Sequence, residues 1–429
     1  MVITHLNKTL KPIHLWAISV GLVISGDYFG WNYGYAVASK YSFFGAILFV
    51  SLFYICFAFS FTELTSAIPN AGGPFAYSRK ALGRIGGFIA GFAGLVEFLL
   101  APPAIASAFG AYVNFLFPEI PALNAAVFSI ILFTIINLFG IKQTANIELV
   151  VTIIASLGLV LYLALLSPNV SIEKILSGTE KFHFGELFAA IPFAIWFYLA
   201  VEGVALAAEE TIDPKKNIPI GYGLGMGTLV LFACLIVLFT SSLGIEDTLS
   251  KIDYPLPQAL SFSQNGKSVL VKIFSYLGLF GIMASLMGII FGYSRQIFAL
   301  ARSGYLPGIL AILSKKYQSP YLACIAGSVV GIIALLVGKT DILISFSVLG
   351  AIVLYIISMI SLFRLRIIEP ELERPYLTPF YPITPIVALI SGIICLIAVA
   401  FYNPQVFLAF GSIFLIGILI FYFFGRKDV

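Results

Sequence analysis

Acidic side chains lie inside the long apolar segments of this sequence, where an ionised group is costly. Those within the segments are Asp27, Glu63, Glu97, Glu148 and Glu202. A charge near the centre of a bilayer costs at least about 2.5 kcal/mol, so intramembrane acids are candidates for function. Arg295 is the only basic residue expected at a similar depth. An interior rich in carboxylates therefore favours a cationic solute or a coupling cation as ligand.

The depth of each acid follows from its position along a helix. At 1.5 Å per residue, Asp27 and Glu97 are predicted near the membrane midplane, and Glu202 somewhat nearer to the cytoplasm. Glu63 and Glu148 are interpreted as structural. An alternative role for the acids is to cap free N–H groups at a helix break, or to pair with one another in protonated form.

Asp27 stands in a glycine-rich stretch, residues 21–34, which reads Gly-Leu-Val-Ile-Ser-Gly-Asp-Tyr-Phe-Gly-Trp-Asn-Tyr-Gly. Glycine weakens a helix by about 1 kcal/mol per residue. Irregular backbone survives at membrane depth only inside protein or beside a cavity. The stretch therefore predicts a broken helix that lines a binding site.

A second interruption is predicted at residues 191–203, where Pro192 is followed by Glu202 and Gly203. Proline removes a backbone donor and clashes with the preceding turn. The two interruptions lie in the first and the sixth apolar segments, so the two broken helices run in opposite directions through the bilayer. This arrangement is typical of inverted-repeat transporters with a midplane site. The alternative is a channel or receptor with two kinked helices.

The composition identifies an integral membrane protein, with 60% hydrophobic and 10% charged residues and a mean hydropathy of +1.04. Segments of about 20 apolar residues can cross a bilayer. Twelve are predicted, at residues 14–38, 43–68, 86–116, 122–140, 147–167, 186–208, 219–244, 269–294, 320–338, 342–363, 380–402 and 405–424. Most of the Lys and Arg residues fall on one side when both termini are cytoplasmic, which predicts that orientation.

Other function classes lack their sequence signatures. The four cysteines lie inside apolar segments and the three histidines are scattered, so neither disulfides nor a metal site is expected. The sequence shows no phosphate-binding loop and no nucleophile elbow. Basic residues cluster in loops and do not indicate nucleic acid binding. No enzyme activity, cofactor or metal is predicted, and uphill transport would draw on a gradient.

Three polar clusters resemble signatures of the amino acid–polyamine–organocation (APC) superfamily. Residues 63–77 read Glu-Leu-x-Ser-x-Ile-Pro-x-Ala-Gly-Gly-Pro-x-Ala-Tyr, and residues 210–219 read Glu-x-x-Asp-Pro-x-x-Asn-Ile-Pro. The stretch 295–307 resembles a third signature. The resemblance implies an all-α fold of two inverted five-helix repeats with two further helices, placed at residues 14–167, 186–363 and 380–424. The substrate would lie between the broken first and sixth helices.

The first break departs from the pattern of amino acid permeases in this superfamily. Their Gly-Ser-Gly-type run offers backbone N–H groups to a substrate carboxylate, whereas this sequence reads Ser25-Gly26-Asp27. A carboxylate there would repel another and favour an ammonium group without an acid. Residues 25–32, 97–103 and 202–210 resemble the ethanolamine permease branch. That resemblance implies uptake of ethanolamine across a bacterial plasma membrane, by a multi-pass protein of the inner membrane.

The sequence thus predicts a permease for a small organic amine, with ethanolamine as the specific candidate and an amino acid or polyamine as the alternatives. The predicted substrate-binding residues are Ser25, Gly26, Asp27, Phe29, Glu97, Trp196, Phe197 and Glu202. Asp27 would pair with the ammonium group, helped by backbone carbonyls freed at the breaks, and Trp196 would act as a gate, as the resemblance implies. The lysine of several proton-coupled relatives is absent near residues 152–156, which leaves H⁺ coupling, Na⁺ coupling and facilitated diffusion open.

Overall fold

A computed structural model of the chain describes residues 8–70, 72–139, 144–170, 181–264 and 269–424. The α-helices are α1 Pro12–Val23, α2 Ser25–Tyr28, α3 Lys40–Ala67, α4 Gly73–Leu116, α5 Ala122–Leu138, α6 Thr144–Leu166, α7 Phe184–Ala189, α8 Ile191–Trp196, α9 Pro214–Ser241, α10 Glu246–Leu249, α11 Pro255–Ser263, α12 Val269–Arg302, α13 Tyr321–Val337, α14 Thr340–Ile368, α15 Ile383–Tyr402 and α16 Pro404–Phe424. The 3₁₀ segments are Trp31–Ala36, Ser167–Asn169, Val201–Glu210 and Gly308–Ala311.

The prediction of an all-helical, multi-pass membrane protein is confirmed. Over the described residues, eight helical segments are long and apolar enough to cross a membrane, and four shorter apolar helices accompany them. Within the same ranges, strand-like pairing is limited to a single bridge between Leu10 and Thr211. Residue 71 and the predicted end of the fourth segment at residue 140 lie outside the described residues, as do both termini.

The third apolar segment is the second of two helical parts of α4, which meet at a kink. At Gly83 the backbone is not helical, with φ of 72° and ψ of −161°. The predicted start at residue 86 lies just after this kink, and the part before it, from Gly73, carries Arg79 and Lys80. A tight turn precedes this first part, in which the Gly73 N–H donates to the Asn70 carbonyl at 2.9 Å.

Close helix contacts in the interior depend on small residues facing a neighbouring backbone. Gly350 on α14 lies against α4, where a Cβ atom would stand 2.6 Å from the Ala93 carbonyl oxygen and 2.7 Å from the Glu97 nitrogen. The hydroxyl of Ser347 donates to the Glu97 carbonyl at 2.7 Å. These contacts fix α4 against α14 and so set the position of Glu97.

One end of the bundle is tied by a buried ion-pair cluster. Arg366 forms two hydrogen bonds to the Glu63 carboxylate, at 2.8 and 2.6 Å. Arg374 adds a contact at 3.5 Å, and the backbone and hydroxyl of Thr378 donate to the same carboxylate. Glu63 therefore has the structural role that was predicted for it, joining the end of α3 to α14 and the segment that follows.

The opposite end, beside the start of α3, is closed by polar contacts to the α10–α11 region. The side-chain amide of Asn32 donates to the carbonyls of Leu249 and Ile252, at 2.6 and 2.8 Å. The Tyr33 hydroxyl donates to Asp253, which also accepts from Thr340 at 3.2 Å. Burial raises the pKa of Asp253. We call the set of Asn32, Tyr33, Asp253 and Thr340 the loop latch.

Candidate functional site

The first apolar segment is interrupted by a side chain that enters its hydrogen-bond ladder. The Ser25 N–H donates to the Ser285 Oγ at 3.0 Å, and the Ser285 hydroxyl donates to the Gly21 carbonyl at 2.7 Å. This hydroxyl replaces the direct bond between the two backbone groups, which opens the helix between α1 and α2. After Tyr28 the helix ends at Phe29, whose φ is −162°, and Gly30, whose φ is 90°. The interruption predicted within residues 21–34 is therefore present.

The second interruption lies after α8, inside the predicted range. Ala200 adopts a left-handed conformation with a φ of 72°, and the chain then continues as the 3₁₀ segment Val201–Glu210. Such a conformation is unusual for a residue with a side chain and needs support from its surroundings. The Glu97 Oε1 atom supplies it by accepting the Ala200 N–H at 3.2 Å. Glu97 thus caps the second break, which is the alternative role considered from the sequence.

The two breaks lie directly against each other. A Cβ atom on Gly26 would stand 2.3 Å from the Trp196 carbonyl oxygen, and one on Gly30 would stand 2.3 Å from the Trp196 indole nitrogen. The ring of Phe29 meets the Trp196 ring edge-on, with centroids 5.6 Å apart. The structure therefore brings Gly26, Phe29 and Trp196 together, as predicted for a site between the two broken helices.

Asp27 lies at this junction with no solvent exposure. Neither carboxylate oxygen has a hydrogen-bond partner among the described residues. The phenol groups of Tyr28 and Tyr198 lie near enough to interact electrostatically with the Asp27 carboxylate. An isolated buried carboxylate is strongly unfavourable, so the group must be neutralised by a proton or by a bound cation.

The carbonyls near the first break are less available than the sequence suggested. The Asp27 carbonyl accepts the Trp31 indole N–H at 3.2 Å, and the Tyr28 carbonyl accepts the Tyr112 hydroxyl at 3.0 Å. Each of these two carbonyls accepts one hydrogen bond and keeps a second lone pair. That freed carbonyls at the two breaks help to hold an ammonium group stays a prediction.

Glu97 and Glu202 form a pair of buried carboxyl groups that interact with each other. The Tyr355 hydroxyl donates to the Glu202 Oε2 at 2.7 Å. No hydrogen bond joins this pair to Asp27 in the described part of the chain. The pair reaches the second break through the bond from the Ala200 N–H to Glu97.

The remaining predicted residues have more local roles. Ser25 contributes its backbone N–H to Ser285, and Phe197 stacks on Trp31 with ring centroids 5.8 Å apart. Trp196 is 2% exposed, and its indole N–H has no partner within the described ranges. Its position between the breaks is compatible with the predicted gate.

Ser285, Tyr198 and Tyr355 were not predicted as site residues. Ser285 and Tyr355 reach the breaks from α12 and α14, whereas Tyr198 lies in the second break itself, directly after α8. Each carries a polar atom inside an apolar segment, and such residues often form hydrogen bonds across membrane helices. That signal alone does not identify a partner, because many serines and tyrosines of this chain share it. Their roles depend on which helices pack together.

Comparison with known proteins gives relatives along the whole chain. A family description named amino acid permease matches residues 10–424. An uncharacterized transporter of Rhizobium meliloti is 27% identical, covering 95% of this chain and 88% of the relative. The branched-chain amino acid permease BcaP of Bacillus subtilis is 25% identical, covering 98% and 94%. The methylthioribose transporter of the same organism is 25% identical, covering 86% and 83%.

The family match covers almost all of the chain, and it agrees with the two helix breaks that meet in the interior. These relatives are transporters and permeases, which excludes an enzyme. The chain therefore belongs to the amino acid permease family of the APC superfamily and is a membrane transporter.

Proposed function

We propose that this permease takes up a small organic amine, specifically ethanolamine, by alternating access. The observation that carries the proposal is the pair of unpartnered carboxylate oxygens of Asp27, fully buried where the two helix breaks meet. A ligand with an ammonium group and no carboxylate would neutralise Asp27 without adding a second negative charge. A zwitterion would place its own carboxylate near that of Asp27.

The surroundings of Asp27 suit this ligand. Phe29 and Trp196 offer aromatic faces, and a cation over such a face gains about 0.5–2 kcal/mol. Both rings are buried, so the closed conformation excludes water from the site. Rotation of Trp196 away from Gly30 would open the site, and its return would close it.

Glu97 is proposed to transmit movement between the breaks. It caps Ala200 on one side of the site and interacts with Glu202 on the other. A tilt of the segment after α8 would break the bond from Ala200 and change the charge that the two carboxyls share. The pair would then respond to opening without binding the ammonium group itself.

The proposed membrane arrangement follows the sequence prediction. In support, each predicted span overlaps one of the eight long or four shorter apolar helices among the described residues. We propose two inverted five-helix repeats at residues 14–167 and 186–363, followed by two helices at 380–424, in the plasma membrane with both termini cytoplasmic. The Glu63 cluster would then face the cytoplasm and the loop latch the outside.

Substitution Asp27→Asn tests the proposal. The charged hydrogen bond to an ammonium group is worth about 1.5–3 kcal/mol, so the variant should lose at least about tenfold in apparent affinity. The measurement is counterflow of labelled ethanolamine in proteoliposomes without an ion gradient. Asp247→Asn removes an exposed carboxylate and should behave as the unmodified protein does. Unchanged affinity in Asp27→Asn would refute the role of Asp27.

An amino acid permease is the second candidate, favoured by the family description and by the named function of BcaP. Competition decides between the two. Unlabelled leucine, alanine and putrescine are each added to the same counterflow assay. Ethanolamine alone should displace the label efficiently. If leucine or alanine displaces it equally well, the substrate is an amino acid and the charge argument at Asp27 fails.

A further inference from the structure

A second buried acid, Glu148, which the sequence pattern suggested to be structural, lines a partly open cavity that the proposed substrate site does not include. The cavity has a volume of about 70 Å³ and lies between α1, α6, α12 and the 3₁₀ segment Val201–Glu210. Its lining residues are Leu10, Ile18, Leu22, Glu148, Gly203, Leu206, Ala207, Glu210, Gly288 and Phe291. In the proposed orientation it lies on the cytoplasmic side of the two breaks.

Glu148 is the buried acid in the lining of this cavity. Its side chain is 5% exposed, and neither carboxylate oxygen has a hydrogen-bond partner among the described residues. It packs on α1 so closely that a Cβ atom on Gly21 would stand 2.2 Å from its Oε1 atom. The Gly21 carbonyl is also the one that accepts the Ser285 hydroxyl. A change of charge at Glu148 would therefore act directly beside the first helix break.

The lining favours a proton over a larger cation. An ammonium group carries three donors, and metal cations need several oxygen ligands. Apart from Glu148 and Glu210, the side chains at the cavity wall are aliphatic or aromatic. A proton needs only one carboxylate oxygen. Burying an unpaired carboxylate is also very costly, so the buried position of Glu148 favours its neutral form.

Two charged residues approach the cavity in the described part of the chain. Glu210 lines it from the 3₁₀ segment, and Arg295 interacts electrostatically with Glu210 from α12. The Arg295 guanidinium stacks on the Phe291 ring at 3.3 Å from its centroid. Arg295 is thus engaged with Glu210 and Phe291, and it forms no salt bridge to Glu148.

We propose that Glu148 carries the proton that couples transport to a pH gradient. The closed conformation holds one proton on a carboxylate oxygen of Glu148. When α1 and the 3₁₀ segment separate on the cytoplasmic side, water enters the cavity and that proton leaves to the cytoplasm. The Ser285 hydroxyl, which contacts the backbone at both Gly21 and Ser25, supplies a polar group between Glu148 and the Asp27 site.

This inference rests on the proposed amine transport. The experiment therefore measures proton coupling and amine transport separately. Proteoliposomes hold a pH-sensitive dye, and the membrane potential is clamped to zero with valinomycin and potassium. An acidic exterior, one pH unit below the interior, should drive labelled ethanolamine inward to about tenfold accumulation for one proton per substrate. Passive entry of the neutral amine works against this accumulation, because a weak base collects on the acidic side.

Glu148→Gln should keep counterflow while losing accumulation and interior acidification. Thr152→Val is the matched control: Thr152 also abuts Gly21, and its hydroxyl donates to the Ala17 carbonyl at 3.2 Å. It should stay coupled. Glu148→Asp, which retains a carboxyl group, should restore coupling and serves if the glutamine variant does not insert.

Accumulation by Glu148→Gln equal to that of the unmodified protein would overturn the proposal. So would ethanolamine uptake by the unmodified protein without any entry of protons. If ethanolamine shows no counterflow at all, the proposed substrate is wrong, and the proton measurement is repeated with leucine as the driven solute. Coupling of leucine that depends on Glu148 would then support the inference by itself.

Discussion

Gly26 is the residue at which the two broken segments approach most closely. Because glycine has no side chain, the Trp196 carbonyl oxygen can lie only 2.3 Å from the position that a Cβ atom on Gly26 would take. The obstacle is a backbone atom, so rotation of a side chain cannot relieve the contact. Glycine at this position therefore serves the packing of the site, in addition to any effect on the helix.

Gly26→Ala should separate the two breaks and damage the site. Overpacking of this kind costs about 1–3 kcal/mol, so we expect a lower melting temperature and weaker ethanolamine counterflow. Gly227→Ala on α9 is the control, because its Cβ atom would meet nothing within 4 Å. That variant should be at least as stable as the unmodified protein, since alanine favours a helix. Equal melting temperatures for the two variants would contradict this account.

The acids at the site could be identified from the sequence, whereas their partners could not. Asp27, Glu97 and Glu202 stand out because they occupy apolar segments. The packing of α4 and α2 against other segments decides their contacts. It lets Glu97 cap Ala200 and leaves Asp27 without a partner among the described residues. The burial of an acid can thus be predicted from the apolar residues around it in the sequence, whereas its hydrogen-bond partners depend on the tertiary structure.

At the scale of elements, the Glu63 cluster joins α3 to α14. The carboxylate is 1% exposed and accepts bonds from Arg366 and Thr378, with Arg374 nearby. Glu63→Gln would leave two arginines without their counter-charge. Removing one partner of a buried ion pair costs about 3–5 kcal/mol, and the partial exposure of Arg366 places the expected loss toward the lower end. Thermal unfolding of the purified protein measures it.

Glu373→Gln provides the matched comparison for Glu63→Gln. Glu373 pairs with Lys215, and their side chains are 75% and 53% exposed. Exposed pairs contribute about 0–1 kcal/mol, so this variant should unfold close to the unmodified protein. If both glutamine variants unfold at the same temperature, the buried cluster does not hold the two helices together.

The breaks in the helices were predictable because glycine and proline weaken a helix locally. Their exact form was not, since the first break depends on Ser285 from α12 entering the ladder between Gly21 and Ser25. The first part of α4 was not predicted for a related reason: hydropathy identifies apolar segments, and the turns before the kink at Gly83 carry charged residues. Pattern alone therefore gives the order of elements better than their ends.

At the scale of the whole molecule, the structure is closed around the site. Asp27 has no exposure, and the loop latch covers the end of the bundle that we assign to the outside. Transport requires this closure to be reversible. The contacts that hold the latch should therefore set the balance between closed and outward-open conformations.

Asn32→Ala should shift that balance toward the open form. It removes two hydrogen bonds to another segment, at the carbonyls of Leu249 and Ile252, and a third in which the Asn32 Oδ1 accepts the Gly30 N–H at 2.9 Å. Each is worth about 1 kcal/mol, so the ratio of open to closed protein should rise by about tenfold or more. Tryptophan fluorescence reports the change, since two of the three tryptophans, Trp31 and Trp196, lie buried at the breaks. Iodide should quench their emission more strongly in the variant.

Asn114→Ala separates opening of the latch from general loosening of the protein. The Asn114 amide also donates to two carbonyls, of Pro118 and Ile120, but all three groups lie within one short turn after α4. Its loss should leave the distance between the two breaks unchanged and the quenching unaltered. Both variants remove two amide-to-carbonyl hydrogen bonds, and Asn32→Ala also removes the bond from the Gly30 N–H. Stronger quenching in Asn32→Ala alone therefore assigns the effect to the contacts of Asn32 at the latch and at the first break. Equal quenching in both would show that the latch does not control access to Asp27.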